Sequence, residues 1–413
     1  MEEETLQEVL HDPEAIAASK HTFVSGIISA ASDVDPTTVA TLAIAGASIQ
    51  YGLEWLVALI VPMFTIVQML GTQVATVSRE GLQSAVRRRY GTTIALISLA
   101  CILAVNVITY AADLEAGAAA LALITHVHYV WFLIPLSIVI TVLLMFGTMD
   151  DVMRWLVVLP LAFLAYVATT FIAHPNWHAV AAGFVPRFES SSLYISTIVA
   201  LIGTALTTYS YYWQTVEIAS NQPPKRAVWA LQLASIPGTV VTGAVLWFIL
   251  VGTAATLGIA HTTIQTAQDA AKALEPIAGA WASIIFGIGL FGSAILALPV
   301  LAAGMASATS STLRWGGSLD KRPHEAKRYY GTMAIGVALS TLLALAGIAP
   351  IKLLFIASIA GGIGTPVTLA LLVLLARDTQ TMGDNIAPKG LAAAGWGVVG
   401  VITAASLAFI RWH

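Results

Sequence analysis

Long apolar runs alternate with short polar breaks along almost the whole chain. The runs fall at approximately 22–49, 53–77, 92–124, 129–147, 151–173, 192–220, 227–256, 278–309, 329–348, 351–376 and 390–410. A helix needs about 20 apolar residues to cross the hydrocarbon core of a bilayer, so the pattern predicts eleven membrane spans. The breaks carry the basic residues unevenly. With the N-terminus in the cytoplasm, fifteen Lys and Arg fall in inside loops, among them Lys20, Arg87, Arg88, Arg89, Arg154, Arg322 and Lys389. Only Arg187, Lys272, Lys352 and Arg411 fall outside. This positive-inside bias orients the chain with a cytoplasmic N-terminus and an extracellular C-terminus. It divides the sequence into a cytoplasmic segment 1–21, a transmembrane core 22–376, and a cytoplasmic loop with an extra eleventh helix at 377–413.

Composition agrees with lipid as the main solvent. Of the 413 residues, 58% are hydrophobic and 10% charged, with a mean hydropathy of +0.83, whereas a soluble domain has roughly a quarter of its residues charged. The expected location is the cell membrane, crossed many times. Net charge is −3, and the basic residues lie in loop clusters rather than along one face, so no nucleic-acid partner is expected. The acidic start Met1-Glu2-Glu3-Glu4 lacks the basic region of a signal peptide, so no cleaved leader is expected. Cys101 can form no internal disulfide and reads as a small buried hydrophobe. The segment Ser84 to Arg89 admits a short interfacial helix or a solvated basic turn. His126 with His128, and His174 with His178, offer paired imidazoles without an acidic or thiol partner close in sequence. Nothing in the sequence demands an oligomer, and a monomer is expected.

Polar residues inside spans are costly and tend to mark a pathway. Asp33 and Asp35 lie in span one among Ser29, Ser32, Thr37, Thr38 and Thr41, and Pro36 must break or kink the helix there. Asp35 can serve a bound substrate or cap the second half-helix, and Asp33 can join it or face a vestibule. Span six repeats the arrangement without proline: the run Thr204 to Thr215 is rich in β-branched, hydroxyl and aromatic residues, a poor helix centre and a good cavity lining. Tyr211, Tyr212 and Trp213 also suit packing between helices. Spans one and six would each open a five-helix half, 22–173 and 192–376, in opposite orientations. That is an inverted repeat, with a site at the midplane where broken helices meet.

At these residues the sequence resembles the Nramp family of divalent-metal transporters. Asp35-Pro36-Thr37-Thr38-Val39-Ala40-Thr41, then Ala45-Gly46-Ala47, is similar to the family's first-helix signature Asp-Pro-Gly-Asn-Ile-Ala-Thr and Ala-Gly-Ala. Asn106 to Asp113 is similar to its third helix, and the likeness continues through Ala297-Leu298-Pro299 to Thr381-Met382-Gly383. The resemblance implies an all-α polytopic membrane protein with a LeuT-type 5+5 inverted repeat, helices one and six unwound, and eleven transmembrane helices. It also implies Asp35 as carboxylate ligand, Thr38 in place of the family's amide ligand, and Ser32 and Thr204 as carbonyl ligands. Thr207 stands where the family has a methionine, in a Thr207-Thr208-Tyr209 that replaces Met-Pro-His. Gln214 stands for a later histidine. With Glu217, span six looks more like the Nramp-related bacterial branch that includes magnesium transporters. Asp33, Gln214, Asp113, Tyr209 and Glu217 are the accessory or proton-path candidates, with Glu115 assisting. Asp113 and Glu115 also suit hydrogen bonding between helices at the outer end of span three.

The implied ligand set is all oxygen, which suits Mg²⁺ or Mn²⁺ better than softer metals. The expectation is therefore a secondary transporter that moves a hard divalent cation into the cytoplasm, with no cofactor, and uncoupled from protons because the helix-six histidine is missing. Two rivals remain: a same-fold carrier of a small organic ion, for which Tyr209 to Trp213 offer cation–π contact, and a standard proton-coupled Mn²⁺ or Fe²⁺ transporter. No HExxH, GxSxG or Walker motif supports an enzyme.

Overall fold

Backbone groups in lipid must find partners within their own segment, so helices are the natural answer for chains of this composition. The computed structural model describes residues 34–146, 164–260, 264–319 and 321–412, and it is nearly all helix. The elements that matter are α1 (Pro36–Ile49), α2 (Glu54–Ser78), α3 (Leu82–Thr125), α4 (Val130–Phe146), α5 (Leu164–Ile172), α6 (Trp177–Gly183), α7 (Ser192–Ala205), α8 (Thr208–Asn221) and α9 (Val228–Thr253). They continue with α10 (Ala267–Ala271), α11 (Ala282–Leu313), α12 (Lys327–Ala344), α13 (Pro350–Ala376), α14 (Thr379–Met382) and α15 (Lys389–Trp412).

The fold is the inverted repeat expected of the LeuT type. Among the described residues, seven helices are long and apolar enough to cross a membrane, with α7 and α8 taken as one. Where the expected spans fall among the described residues they coincide with helices, and the first half of span one and most of span five lie outside those residues. Lys20, Ser32, Asp33 and Arg154 lie there too.

Polarity is distributed inside out. Trp131, Phe146, Ile335 and Leu342 are exposed, as lipid-facing side chains should be, while Thr and Ser gather inside. Many of the hydroxyls return to the preceding turn, as Thr253 does to the Ile249 carbonyl at 2.7 Å and Ser340 to that of Gly336 at 2.9 Å. Such bonds satisfy a hydroxyl where no water is at hand. The core is built on α3, which packs along α11 and α13, while α9 packs along α2. Small residues allow a close crossing: Gly203 of α7 meets Gly361 and Gly362 of α13 backbone to backbone, the usual way helices approach in a membrane. α15 lies at the periphery, and its buried stripe Ala392, Gly395, Val398, Ile402, Ser406 is spaced for one face. Ser406 donates to the Gly362 carbonyl at 2.9 Å.

Of the two readings of Ser84 to Arg89, the structure has the helix. α3 begins at Leu82 and turns sharply at Gly91, whose φ of 83° only glycine adopts freely. The preceding turns bury Leu82, Ala85 and Val86 and present Arg87, Arg88 and Arg89 to neighbours. Arg87 donates to the Thr312 carbonyl, Arg88 pairs with Glu80 at 2.9 Å and Arg89 with Asp378 at 2.8 Å.

Candidate metal centre

The start of α1, where the first break is expected, follows from the dipeptide Asp35-Pro36. A residue before proline is held extended, and Asp35 has φ −75° and ψ 170°. Proline then opens α1 without loss, since the first helical amide has no partner in any case. The Asp35 carboxylate caps the new helix: one oxygen accepts from the Thr38 amide at 2.7 Å and from Thr37 Oγ1 at 2.6 Å. Its other oxygen accepts from the Tyr209 phenol at 3.0 Å. Capping and site formation are thus one arrangement, with Asp35 buried at 1% exposure. Just upstream, Ser293 of α11 donates to the Val34 carbonyl at 2.7 Å and ties the segment down.

The second break falls at Leu206 and Thr207, between α7 and α8. Thr207 is extended and buried at the start of α8, and its side chain makes no capping hydrogen bond. The two breaks face each other through hydroxyls. Thr38 Oγ1 and Thr204 Oγ1 are 2.8 Å apart, and Thr204 donates to Thr37 Oγ1 at 3.2 Å. Of the sequence-predicted residues, Asp35, Thr38, Thr204 and Tyr209 therefore meet in one cluster, and Thr207 stands at the break beside it. Ser32 and Asp33 lie outside the described residues.

Asp113 comes close from α3. Both its oxygens are buried without a well-formed hydrogen bond, and the carboxylate faces the Thr37 amide and the Asp35 charge. The expected alternative, helix-to-helix hydrogen bonding at the outer end of the span, is not what these residues do, for Glu115 also lacks a partner. Asn106, Tyr110 and Asp113 follow at four and three residues, one face of α3, and their polar atoms are all buried and unpartnered among the described residues.

Gln214 is the next candidate along α8. It donates to Thr72 of α2 at 3.1 Å and approaches Gly71, so it belongs to the α2–α8 contact and not to the Asp35 cluster. Five residues separate it from Tyr209, a rotation of roughly 140° about the helix, so the two cannot share a face. Glu217 is half-buried and lies about two turns from Tyr209 along α8.

The sequence reading missed α13. Thr41 and Ser358 hydroxyls are 2.8 Å apart, Thr208 and Thr365 3.2 Å, and Tyr211 and Thr368 2.5 Å. Thr365 also donates to the Leu206 carbonyl at 3.3 Å, one of the acceptors freed by the break. Ser358, Thr365 and Thr368 sit at intervals of seven and three, a polar stripe in an otherwise apolar helix, and that spacing was the available signal. Among the described residues no three His, Cys, Asp or Glu side chains converge on a metal-sized point, so the paired histidines form no such group. The donors gathered at the breaks are oxygens: carboxylates, hydroxyls and the carbonyls of helix ends.

Comparison with known proteins fits this geometry. The family model for natural resistance-associated macrophage protein-like (Nramp) proteins matches residues 26–411. A divalent metal cation transporter MntH of Deinococcus radiodurans is 23% identical, over 94% of this chain and 88% of its own. A divalent metal cation transporter MntH 1 of Pseudomonas aeruginosa is 25% identical, over 93% and 90%. A solved Eremococcus coleocola manganese transporter, in complex with an aromatic bis-isothiourea substituted compound, superposes with a TM-score of 0.75 at 16% identity, over 96% of this chain and 87% of that one. Mhp1, a nucleobase-cation-symport-1 family transporter in a closed conformation, gives 0.54 at 15% identity, over 95% and 92%. With a family match spanning nearly its whole length, and the start of α1 facing the α7–α8 break at Asp35, this multi-pass membrane chain belongs to the Nramp family, whose members are transporters and not enzymes.

Proposed function

We propose that this protein carries a hard divalent cation, Mg²⁺ or Mn²⁺, into the cytoplasm by alternating access about the two helix breaks. The observation that carries this reading is the Asp35 carboxylate held between the breaks within an all-oxygen set of hydroxyls. Carboxylate, hydroxyl and carbonyl donors suit hard cations, and sulfur, which would favour later transition metals, is absent at Thr207. Few direct protein ligands also suit Mg²⁺, which usually keeps several of its waters. Asp35, Thr38, Thr204 and Thr207 with the neighbouring carbonyls, Ser32's included, would replace part of the water shell. Tyr209 and Asp113 adjoin them, and Glu217 is assigned no part in binding.

The direction follows from the loop charges, which support a cytoplasmic N-terminus, and from the membrane potential, worth about 2.3 kcal/mol per charge per 100 mV for an inward cation. Transport is uncoupled from protons in this reading, because no histidine stands at the second break. Purified protein in liposomes with an internal Mg²⁺ or Mn²⁺ indicator tests it: vesicles with protein should fill faster than empty ones, without acidifying. Absence of influx for both ions would sink the metal reading, and metal-dependent acidification would sink the uncoupled one.

A further inference from the structure

The α7–α8 break lacks the residue that accounts for the start of α1. Pro36 sets the backbone there by itself, whereas the run from Thr204 to Thr215 contains no proline. Its threonines and aromatics disfavour a helix only mildly, so nothing local stops α7 from running on into α8.

The hydrogen bonds show what holds them apart. In a continuous helix the Ser210 amide would go to the Leu206 carbonyl; here it goes to the Thr207 carbonyl at 3.3 Å. The Leu206 carbonyl accepts instead from Thr365 of α13, at 3.3 Å. Thr365 Oγ1 also lies 3.2 Å from the hydroxyl of Thr208, the first residue of α8. One assignment of donors satisfies the whole buried cluster: Tyr211 donates to Thr368, Thr368 to the Thr365 carbonyl at 3.0 Å, Thr208 to Thr365 Oγ1, and Thr365 to Leu206. α13 is itself fixed at this level. Pro366 removes the amide that would pair with the Gly362 carbonyl, and Ser406 of α15 donates to that carbonyl in its place at 2.9 Å.

We propose that Thr365 is a positioning residue for the metal site: its hydroxyl clasps Leu206 and Thr208 and so keeps a break without proline open. It touches no ion. Its effect passes through α8, whose open start puts Tyr209 on Asp35, and through the end of α7, which sets Thr204 beside Thr38. Reclosing the helix would return the Ser210 amide to Leu206 and turn Tyr209 away from Asp35. The proposal rests on the cation reading of the Asp35 site. A proline at position 208 would do the same work without the hydroxyl. Thr208 is the first helical residue, where an amide has no partner to lose, and Thr207 before it is already extended, with φ −58° and ψ 137°.

Mn²⁺ is the probe, and its free fraction is read by electron paramagnetic resonance with the full-length protein in detergent. Thr365→Val should weaken binding about tenfold, the weight of a lost hydrogen bond, and Thr365→Ser, which keeps the hydroxyl, should stay within about twofold of the wild type. Adding Thr208→Pro to Thr365→Val should restore most of the loss. A second readout needs no metal: spin labels on Leu193→Cys and Ser220→Cys, exposed near either end of the α7–α8 pair, with Cys101→Ser to remove the chain's one cysteine. Their distance distribution should shift in Thr365→Val and return with Thr208→Pro. Thr365→Val or Thr365→Ser can each overturn the proposal, the first by binding as tightly as the wild type, the second by binding as weakly as the valine variant. A double variant that binds no better than Thr365→Val overturns it too. Should the wild type bind no Mn²⁺, the cation reading falls by itself, and the label distances still decide whether Thr365 holds the break. Should Thr365→Val not fold, the double variant decides: it should fold and bind, and its failure to do so overturns the proposal.

Discussion

Replacing Gly203 with alanine tests whether the broken helix is seated on α13 as tightly as the structure has it. The added Cβ would lie 2.7 Å from Gly362 Cα, and closer still to the Ser358 carbonyl and the Gly362 amide. Ordinary contact begins at 3.4 Å, so α7 and α13 must part by at least 0.7 Å, the difference of those two distances. All three obstacles are backbone, and no rotamer change relieves them. Overpacking of this kind costs about 1–3 kcal/mol. The same shift takes the Thr365-to-Leu206 hydrogen bond from 3.3 Å beyond bonding range, which costs about 0.5–1.5 kcal/mol more. The expected loss is therefore about 1.5–4.5 kcal/mol, read by reversible SDS unfolding in mixed micelles. Gly400→Ala is the control, because nothing lies within 4 Å of its added Cβ; it should be neutral or gain up to about 1 kcal/mol from helix propensity. If Gly203→Ala is as stable as the wild type, the close crossing that places Thr204 beside Thr38 is wrong.

Thr207→Met puts a thioether at the second break, and Cd²⁺ should then compete with Mn²⁺ influx about tenfold better than in the wild type, by the preference of soft ions for sulfur; an unchanged competition ratio would refute the argument from softness. Asp378, in the loop after α13, offers a pH test. Partial burial works against its ionised form, yet hydrogen bonds from Thr381 and Arg89 outweigh it and hold the carboxyl below its ordinary 3.8. A depressed native value means the stabilisation is complete above about pH 4 and fades as the pH falls through that lower value. Asp378→Asn, which keeps an acceptor for Thr381 but removes the charge paired with Arg89, should cost about 0.2–1 kcal/mol near neutral pH and flatten the acid limb of the SDS-unfolding profile; an acid limb identical to the wild type's would contradict it.

The fold was legible because lipid imposes few solutions. Apolar run length and the placement of Arg and Lys gave the spans, and the helices found run within a few residues of them, as with α9 and α13. The start of α1, at the expected first break, was legible from Pro36, whose effect on the backbone is local and does not depend on neighbours. The second needed only the Thr204 to Tyr209 run, poor in good helix formers. Contacts between distant segments were not legible. That Tyr209 reaches Asp35 while Gln214 turns to Thr72 depends on the rotation of α8 about its axis, which a break of unknown angle resets. The pairing of α13 with α7 and α8 depends on glycines that read as ordinary membrane small residues until their partners are known. Glu115 and Asp113 look like a pair in sequence, and helix geometry sends them to opposite sides.

The central claim is that a divalent cation binds at Asp35, and Mn²⁺ titration calorimetry on the wild type and Asp35→Asn, with protein in the same detergent, tests it most directly. Saturable binding in the wild type whose tight component is absent from Asp35→Asn is the predicted result; wild-type protein that binds no Mn²⁺, or an Asp35→Asn isotherm that overlays the wild type's, would contradict the account.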